Sequence, residues 1–182
     1  MTAEETLQRG LADRVLRREV DWDAMYAEQL PRVYNFFRFR IRGPHDIEDL
    51  TSRTFEKAWR GRQQYRRDRA GFATWLFGIA RNVAADHLRS VREHVSLDAI
   101  DHPPTDETPE SDAARRSDIE RLAKLTAHLS DRDRELLALK YGAALNNRLI
   151  AELTGLTESN VGTILHRTVE KLRSQWERGG TS

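Results

Sequence analysis

The 182-residue chain contains no cysteine, only five prolines and no long apolar run. The missing cysteine excludes disulfide bonds, thiolate metal sites and cysteine nucleophiles. The first twenty residues are charged throughout and lack the apolar core of a signal peptide. No stretch approaches the roughly 18 apolar residues that a membrane span needs. We therefore expect a cytoplasmic protein that does not insert into a membrane.

Charged residues make up 32% of the chain and hydrophobic residues 38%, a balance that suits small helical cores better than one large buried sheet. Residues 32–69 hold eleven basic and five acidic side chains, whereas residues 96–118 hold two basic and seven acidic ones. The basic block indicates an anionic partner, although such runs often only cover solvated helix faces. The acidic segment carries three of the five prolines and is predicted to be an exposed, flexible linker.

Apolar residues recur at spacings of three and four on both sides of this linker, and period-two alternation and hairpin signals are absent. The expected fold is therefore all-α, with two small helical domains joined by the acidic flexible linker. The predicted organisation is an N-terminal extension (1–20), a first domain (21–95), the linker (96–118), a second domain (119–178) and a tail (179–182).

Three helices are predicted in the first domain. The first runs from Trp22 to Ile41, with a kink or break allowed at Pro31. The second starts near Asp46 and stops near Gly61, and the third runs from Phe72 through about Arg92. Their apolar faces predict a core that includes Phe55, Trp59 and Trp75.

The second domain contains a helix capped by Ser130 and then a helix-turn-helix pattern over residues 148–172. Gly155 supplies the turn, Thr157 caps the longer helix, and Val161 with Ile164 or Leu165 is expected to pack inward. Such a second helix can enter the major groove of DNA. The alternative is an ordinary αα-hairpin, which has the same local pattern.

Three motifs stand in order along the chain: DIEDLTSRTFEKAWR (46–60), FATWLFGIARNVAADHLR (72–89), and LSDRDRELLALKYG (129–142) followed by the helix-turn-helix. Together they resemble the extracytoplasmic-function group of bacterial sigma factors, within the sigma-70 family. The likeness covers residues 22–176. It implies a promoter-specificity subunit that binds core RNA polymerase (clamp and flap) and promoter DNA, and that an anti-sigma factor sequesters.

The resemblance also implies the residues that make these contacts. Candidates for the −10 element lie in the basic loop GRQQYRRDRAGF (residues 61–72) and on the third helix: Arg66, Arg67, Arg69, Asn82, His87, Arg89 and Arg92. Candidates for the −35 element lie on the second helix of the helix-turn-helix: Thr157, Glu158, Ser159, Asn160, Thr163, His166 and Arg167. Candidates for polymerase binding lie at the start of the second helix: Asp46, Glu48, Asp49 and Thr51.

Asn82, and Asp86 four residues later on the same predicted helix, have structural alternatives. Asn82 would serve equally well as a buried amide between helices, and the neighbouring Asp86 as a partner for an arginine. In the basic loop, arginines neutralise phosphates, and the interleaved Tyr65 and Phe72 offer faces on which unstacked bases can stack.

The sequence departs from the family pattern at Gly162 and Ile164, where Lys or Arg is frequent. These departures keep open a sigma-like decoy that binds an anti-sigma factor without binding DNA. A simple dimeric repressor would leave the first domain unexplained. An enzyme is least favoured, because neither a phosphate-binding glycine loop nor a histidine pair with ligand spacing occurs in the sequence. We expect no metal and no cofactor.

Overall fold

The structure is a computed structural model that describes residues 21–41, 43–66, 71–95, 121–122 and 124–178. These residues form helices and short connections and contain no strand. The all-α prediction is thereby confirmed. The predicted N-terminal extension, linker and tail lie outside the described residues.

The N-terminal unit (described residues up to 95) contains α1 (Trp22–Arg40), α2 (Pro44–Arg60), a 3-10 turn (Arg62–Gln64) and α3 (Phe72–Val95). The side chain of Asp21 caps α1 by accepting a hydrogen bond from the Ala24 amide at 3.0 Å. Pro31 lies on the exposed side of α1, which continues through it. Helix α2 begins at Pro44, two residues earlier than predicted. Proline fits the first turn of a helix, because the N–H groups of that turn have no intrahelical partner and proline has no N–H.

Each of the three helices contributes an apolar stripe to the core of this unit. The largest fully buried side chains there are Val33, Phe36 and Phe37 from α1, Leu50 from α2, and Leu76 and Phe77 from α3. Buried areas of this kind stabilise a domain by about 25 cal/mol per Å² of apolar surface.

The C-terminal unit (described residues 121–178) begins with helical residues at 121–122 and 124–127. It continues with α4 (Asp131–Leu137), a π-helical turn (Ala138–Gly142), α5 (Asn147–Thr154) and α6 (Glu158–Arg178). Ser130 caps α4 as predicted, since its Oγ accepts from the Asp133 amide at 3.1 Å. The single helix predicted up to Gly142 instead widens at its end, where the Ala143 amide donates to the carbonyl of Ala138 at 2.8 Å.

The two units pack directly against each other. The π-helical turn lies on α1, and its buried Leu139 belongs to the same apolar cluster as Phe36 and Phe77 of the N-terminal unit. A single continuous core therefore extends through both units.

Candidate nucleic-acid interface

The helix-turn-helix forms as the sequence predicts. Asn146 caps α5 by accepting from the Leu149 amide at 2.9 Å, and Gly155 ends the helix with φ at +72°. The Gly155 amide closes the last turn on the Ala151 carbonyl at 2.9 Å. Thr157 then caps α6, because its Oγ1 accepts from the Asn160 amide at 3.2 Å. These local contacts fix the angle at which α6 leaves the turn.

Helix α6 has one buried face and one exposed face. Val161, Ile164 and Leu165 are buried, so both alternatives offered for the second inward position are occupied. All seven residues predicted for the −35 element are exposed: Thr157, Glu158, Ser159, Asn160, Thr163, His166 and Arg167. The structure brings these seven together on the outer side of α6, where a groove-binding helix presents its side chains.

A cation that the sequence argument missed extends this face. Lys171 follows Arg167 by one turn and is also exposed. Residues four apart on a helix lie on the same side, so the two cations lie next to each other on this face. The spacing of four between Arg167 and Lys171 is visible in the sequence and could have identified this second cation.

Five aromatic rings of the N-terminal unit form a cluster that includes Tyr65 and Phe72 from the two described ends of the basic loop. Tyr65 lies 5.0 Å from Trp75 and 5.6 Å from Phe72, measured between ring centroids. Trp22 contacts Phe72 at 5.5 Å and Trp59 at 5.8 Å, both edge to face. Trp75 packs on the core as predicted. Tyr65 and Phe72 are half-buried in this cluster, so the rings expected to stack bases also support one another.

The prediction that Trp59 belongs to the core is wrong. Its side chain is 52% exposed, and the guanidinium of Arg62 lies 4.0 Å above its ring. Phe55, one turn earlier, does pack against the core and contacts Tyr26 at 4.6 Å. Trp59, which the sequence prediction placed in the interior, instead presents a cationic surface together with Arg62 at the start of the basic loop.

The residues predicted to contact the −10 element differ in how far the structure exposes them to solvent. Arg66 is exposed, while Arg67 and Arg69 lie outside the described residues. On α3, Asn82 and Arg89 are exposed and His87 is half-buried. The exposure of Asn82 excludes the alternative of a buried amide between helices.

Two acidic side chains engage the cations around α3. Asp86 lies 3.9 Å from Arg89 and 3.9 Å from Lys57 of α2, so it does partner a neighbouring arginine. Arg92, the last of the predicted −10 residues, is paired with Asp131 of the C-terminal unit.

The acidic residues predicted to contact polymerase lie on the outside of α2. Asp46, Glu48 and Asp49 are exposed, and Asp49 is 3.5 Å from Arg53. Thr51 lies elsewhere: it is buried, and its hydroxyl donates to the Ile47 carbonyl at 2.7 Å. Contrary to the expectation, the Thr51 hydroxyl is turned away from the surface that carries the acids, because it belongs to the buried stripe of α2.

The part of the chain that the structure describes holds no group of three or more histidine or acidic side chains arranged to bind a metal ion. Within the same ranges, no helix has the length and apolar character needed to cross a bilayer.

Family models match both units. Sigma-70 region 2 matches residues 25–93, and Sigma-70 region 4 matches residues 119–172. The two matched regions correspond to the helical units on either side of the predicted linker.

Among curated relatives, the chain is 27% identical to the ECF RNA polymerase sigma factor BldN of Streptomyces coelicolor, over 89% of this chain and 63% of the relative. It is 28% identical to the ECF RNA polymerase sigma factor SigM of Bacillus subtilis, over 86% of this chain and 96% of the relative. The chain therefore spans less than two thirds of the first of these proteins and nearly all of the second.

Two solved structures share the fold. The sigma factor RpoE in complex with the anti-sigma factor NepR, from Bartonella quintana, gives a TM-score of 0.72 at 20% identity, covering 86% of this chain and 97% of that one. CnrH in complex with the cytosolic domain of CnrY gives 0.59 at 22% identity, covering 85% and 84%.

Proposed function

The chain belongs to the extracytoplasmic-function group of the sigma-70 family, and from this premise we propose how it directs RNA polymerase to promoters. The N-terminal unit is its region 2 and the C-terminal unit its region 4. The chain acts as a non-catalytic subunit in the cytoplasm, with core polymerase, promoter DNA and an anti-sigma factor as partners. The observation that carries the residue-level proposal is the exposed polar face of α6.

Region 4 binds the −35 duplex through this face. Short polar side chains at the start of α6, such as Ser159 and Asn160, suit base edges, and the helix N-terminus favours a phosphate. Arg167 and Lys171 are placed one turn apart to neutralise the backbone.

Region 2 captures the single strand of the −10 element. The basic loop supplies Arg66, Arg67 and Arg69, and Asn82 with Arg89 extends the surface along α3. The guanidinium plane of Arg62, which covers the exposed ring of Trp59 at the start of this loop, offers its outer face to a base. Base stacking on aromatic rings contributes about 1–3 kcal/mol per base, and arginine adds cation–π attraction.

Core polymerase binds the exposed acids at the start of α2, namely Asp46, Glu48 and Asp49. Carboxylates in this position are also favoured by the helix dipole. Thr51 lies in the buried stripe of α2, where its hydroxyl bonds the Ile47 carbonyl of the same helix. It therefore contributes to the packing of α2 and does not touch the partner.

The decoy alternative loses part of its support. It rested on the absence of basic residues at Gly162 and Ile164, but Ile164 is buried, so a basic residue there would point toward the interior. Gly162 is half-buried and lies one helical turn from the exposed Glu158 and His166. Only the departure at Gly162 therefore bears on the proposed DNA face.

The test is transcription in vitro with core polymerase on a pooled promoter library. We expect discrete start sites that disappear when Arg66, Arg67 and Arg69 are replaced by alanine. Arg167→Ala should weaken binding of the −35 duplex by about tenfold. The slope of log affinity against log salt concentration should become shallower by about one, the amount expected for one lost phosphate contact. Arg173→Ala is the matched control, because Arg173 is exposed on the same helix but is paired with Glu170 at 2.7 Å.

The outcomes separate the candidate functions. No transcription together with no binding to core polymerase would contradict the proposal and favour the decoy. Equal losses for the Arg167→Ala and Arg173→Ala variants would contradict the assignment of the DNA face.

A further inference from the structure

Helix α6 lacks a side chain at one point on the edge of its exposed face. Gly162 lies one helical turn from both Glu158 and His166, which are exposed, and leaves the space between them unfilled. Asn147, the first residue of α5, borders this space. Its Nδ2 atom would lie 3.5 Å from a Cβ atom added at Gly162. A side chain of α5 therefore reaches the recognition helix at the position where that helix has none of its own.

The orientation of the Asn147 amide is fixed by a lysine. Lys140, in the π-helical turn, donates from Nζ to Asn147 Oδ1 at 2.9 Å, and the contact is partly buried. An ammonium group only donates hydrogen bonds, so the amide must turn its oxygen toward Lys140 and its nitrogen away from it. The two ends of the amide are thereby distinguished.

The nitrogen of this amide keeps its donors available. In the described part of the chain, the bond from Lys140 is the one hydrogen bond of the Asn147 side chain, so both N–H groups of Nδ2 are free to donate. Asn147 and Gly162 are each half-buried, at the border between the buried and the exposed face of α6. The free donors therefore lie next to the surface that is proposed to bind the −35 duplex.

An amide that can only donate recognises a different base from an amide that is free at both ends. A free asparagine matches adenine, because its oxygen accepts from N6 and its nitrogen donates to N7. The oxygen of Asn147 is occupied by Lys140, so the N6 amino group of adenine would have no acceptor there. Guanine presents two acceptors, N7 and O6, at the same edge of the major groove. The held amide therefore matches guanine and disfavours adenine.

We propose that Asn147 is a specificity-determining residue for the −35 element: its Nδ2 group donates to a guanine in the major groove across the gap at Gly162, and Lys140 is the positioning residue that makes the amide a donor. The inference deepens the proposed function and rests on it, because α6 must lie in the groove. In a helix-turn-helix the first helix crosses the DNA backbone, so the start of α5 is near the groove. A lysine or arginine at position 162, frequent in the family, would fill the space that Nδ2 borders.

The test is selection from a promoter library with a randomised −35 element, by the complete chain together with core polymerase. Sequencing the promoters before and after selection gives the relative affinity for each base at each position. Wild type is expected to favour guanine over adenine by about tenfold at one −35 position, which is within the range of a direct base contact.

Two variants change the amide in different ways. Asn147→Asp keeps its shape and the contact with Lys140, and a carboxylate suits the first turn of α5, but no outward donor is left. The guanine preference at that position should fall to about twofold or less. Lys140→Met keeps the aliphatic stem and frees Oδ1, so the preference should move toward adenine by at least about fivefold. Lys124→Met is the matched control: it removes the same charge from an exposed lysine on a separate helix of region 4, and base preferences should stay those of wild type.

The outcomes are distinguishable. Unchanged base preferences in the Lys140→Met variant, or in a folded Asn147→Asp variant, would overturn the proposal, and Lys140→Met decides alone if circular dichroism shows that Asn147→Asp is unfolded. A loss of affinity in Asn147→Asp that is equal for all sequences would also overturn it, because the amide would then contact a phosphate or only support the fold. An equal shift toward adenine in Lys124→Met would overturn the role of Lys140. Wild type that binds core polymerase but selects no −35 sequence would instead overturn the proposed function of region 4.

Discussion

Replacing Glu135 with glutamine is expected to lower the free energy of unfolding by about 2–4 kcal/mol. Glutamine keeps the size of the side chain and one acceptor oxygen, but it removes the charge that faces Arg40 and Arg81. Burial lowers the pKa of Arg40, and the charge of Glu135 opposes that shift. An arginine stays charged in a protein, so removing the carboxylate leaves the buried Arg40 cation without its nearest counter-charge in a site nearly closed to water.

The magnitude follows from geometry and burial. At an effective dielectric constant of about 20, unit charges about 4 Å apart attract by about 4 kcal/mol. Part of this offsets the loss of hydration when the pair is buried, and the rest is lost when one partner is removed. An exposed pair behaves differently: Glu56 and Arg60 are 2.6 Å apart, but their side chains are 57% and 76% exposed. Glu56→Gln should therefore cost less than about 0.5 kcal/mol.

The assay is urea unfolding of the complete chain, followed by far-ultraviolet circular dichroism. In a double-mutant cycle, adding Arg40→Met to the Glu135→Gln variant should recover at least about 1 kcal/mol, because the unpaired cation is gone. Additivity within about 0.5 kcal/mol would refute the reasoning, since the two residues would then act independently. A loss for Glu56→Gln as large as for Glu135→Gln would refute the argument from burial.

Substitutions at three positions in region 4 test the helix ends and the recognition helix by thermal unfolding. Gly162→Ala should raise stability by about 0.5–1 kcal/mol, because the added Cβ makes only an ordinary contact with Asn147 Nδ2 at 3.5 Å; a loss would mean that α6 is strained there. Gly155→Ala should cost about 1–2 kcal/mol, since the space is open and the cost comes from φ at +72° alone. Ser130→Ala should cost about 1 kcal/mol by removing the cap of α4, and Ser130→Asp should restore it.

Features that depend on a few neighbouring residues could be predicted from the sequence. Two of these features are the helix caps at Ser130 and Thr157, each of which needs a short polar side chain just before an apolar stripe. The third is the turn at Gly155, which needs a residue without a side chain just after such a stripe. The structure confirms all three. The exposed face of α6 follows from the same stripe, since Val161, Ile164 and Leu165 determine which side of the helix faces inward.

Features that depend on the direction of a helix face were predicted less well. The buried residues of α2 are Ile47, Leu50, Thr51, Thr54 and Ala58. The prediction included Trp59 in this stripe because it follows Phe55 by one helical turn, and the resemblance placed Thr51 outside the stripe with the polymerase-binding acids. Neighbouring positions on a helix differ by 100°, so an error of one residue exchanges an exposed position for a buried one. A threonine can be buried at low cost when its hydroxyl bonds the carbonyl four residues earlier, as Thr51 does with Ile47.

The contact between the units could not be predicted from local patterns at all, because Arg40 and Glu135 are 95 residues apart in sequence. It also changes the meaning of the basic block at residues 32–69. A count of charges treats all its arginines as available to DNA, but Arg32 donates to the Ala143 carbonyl and Arg40 is buried on Glu135. Those two cations stabilise the contact between the units, and the proposed promoter contacts in this block fall to the cations of the basic loop. The excess of positive charge in this block therefore combines cations that hold the two units together with cations that are proposed to bind DNA.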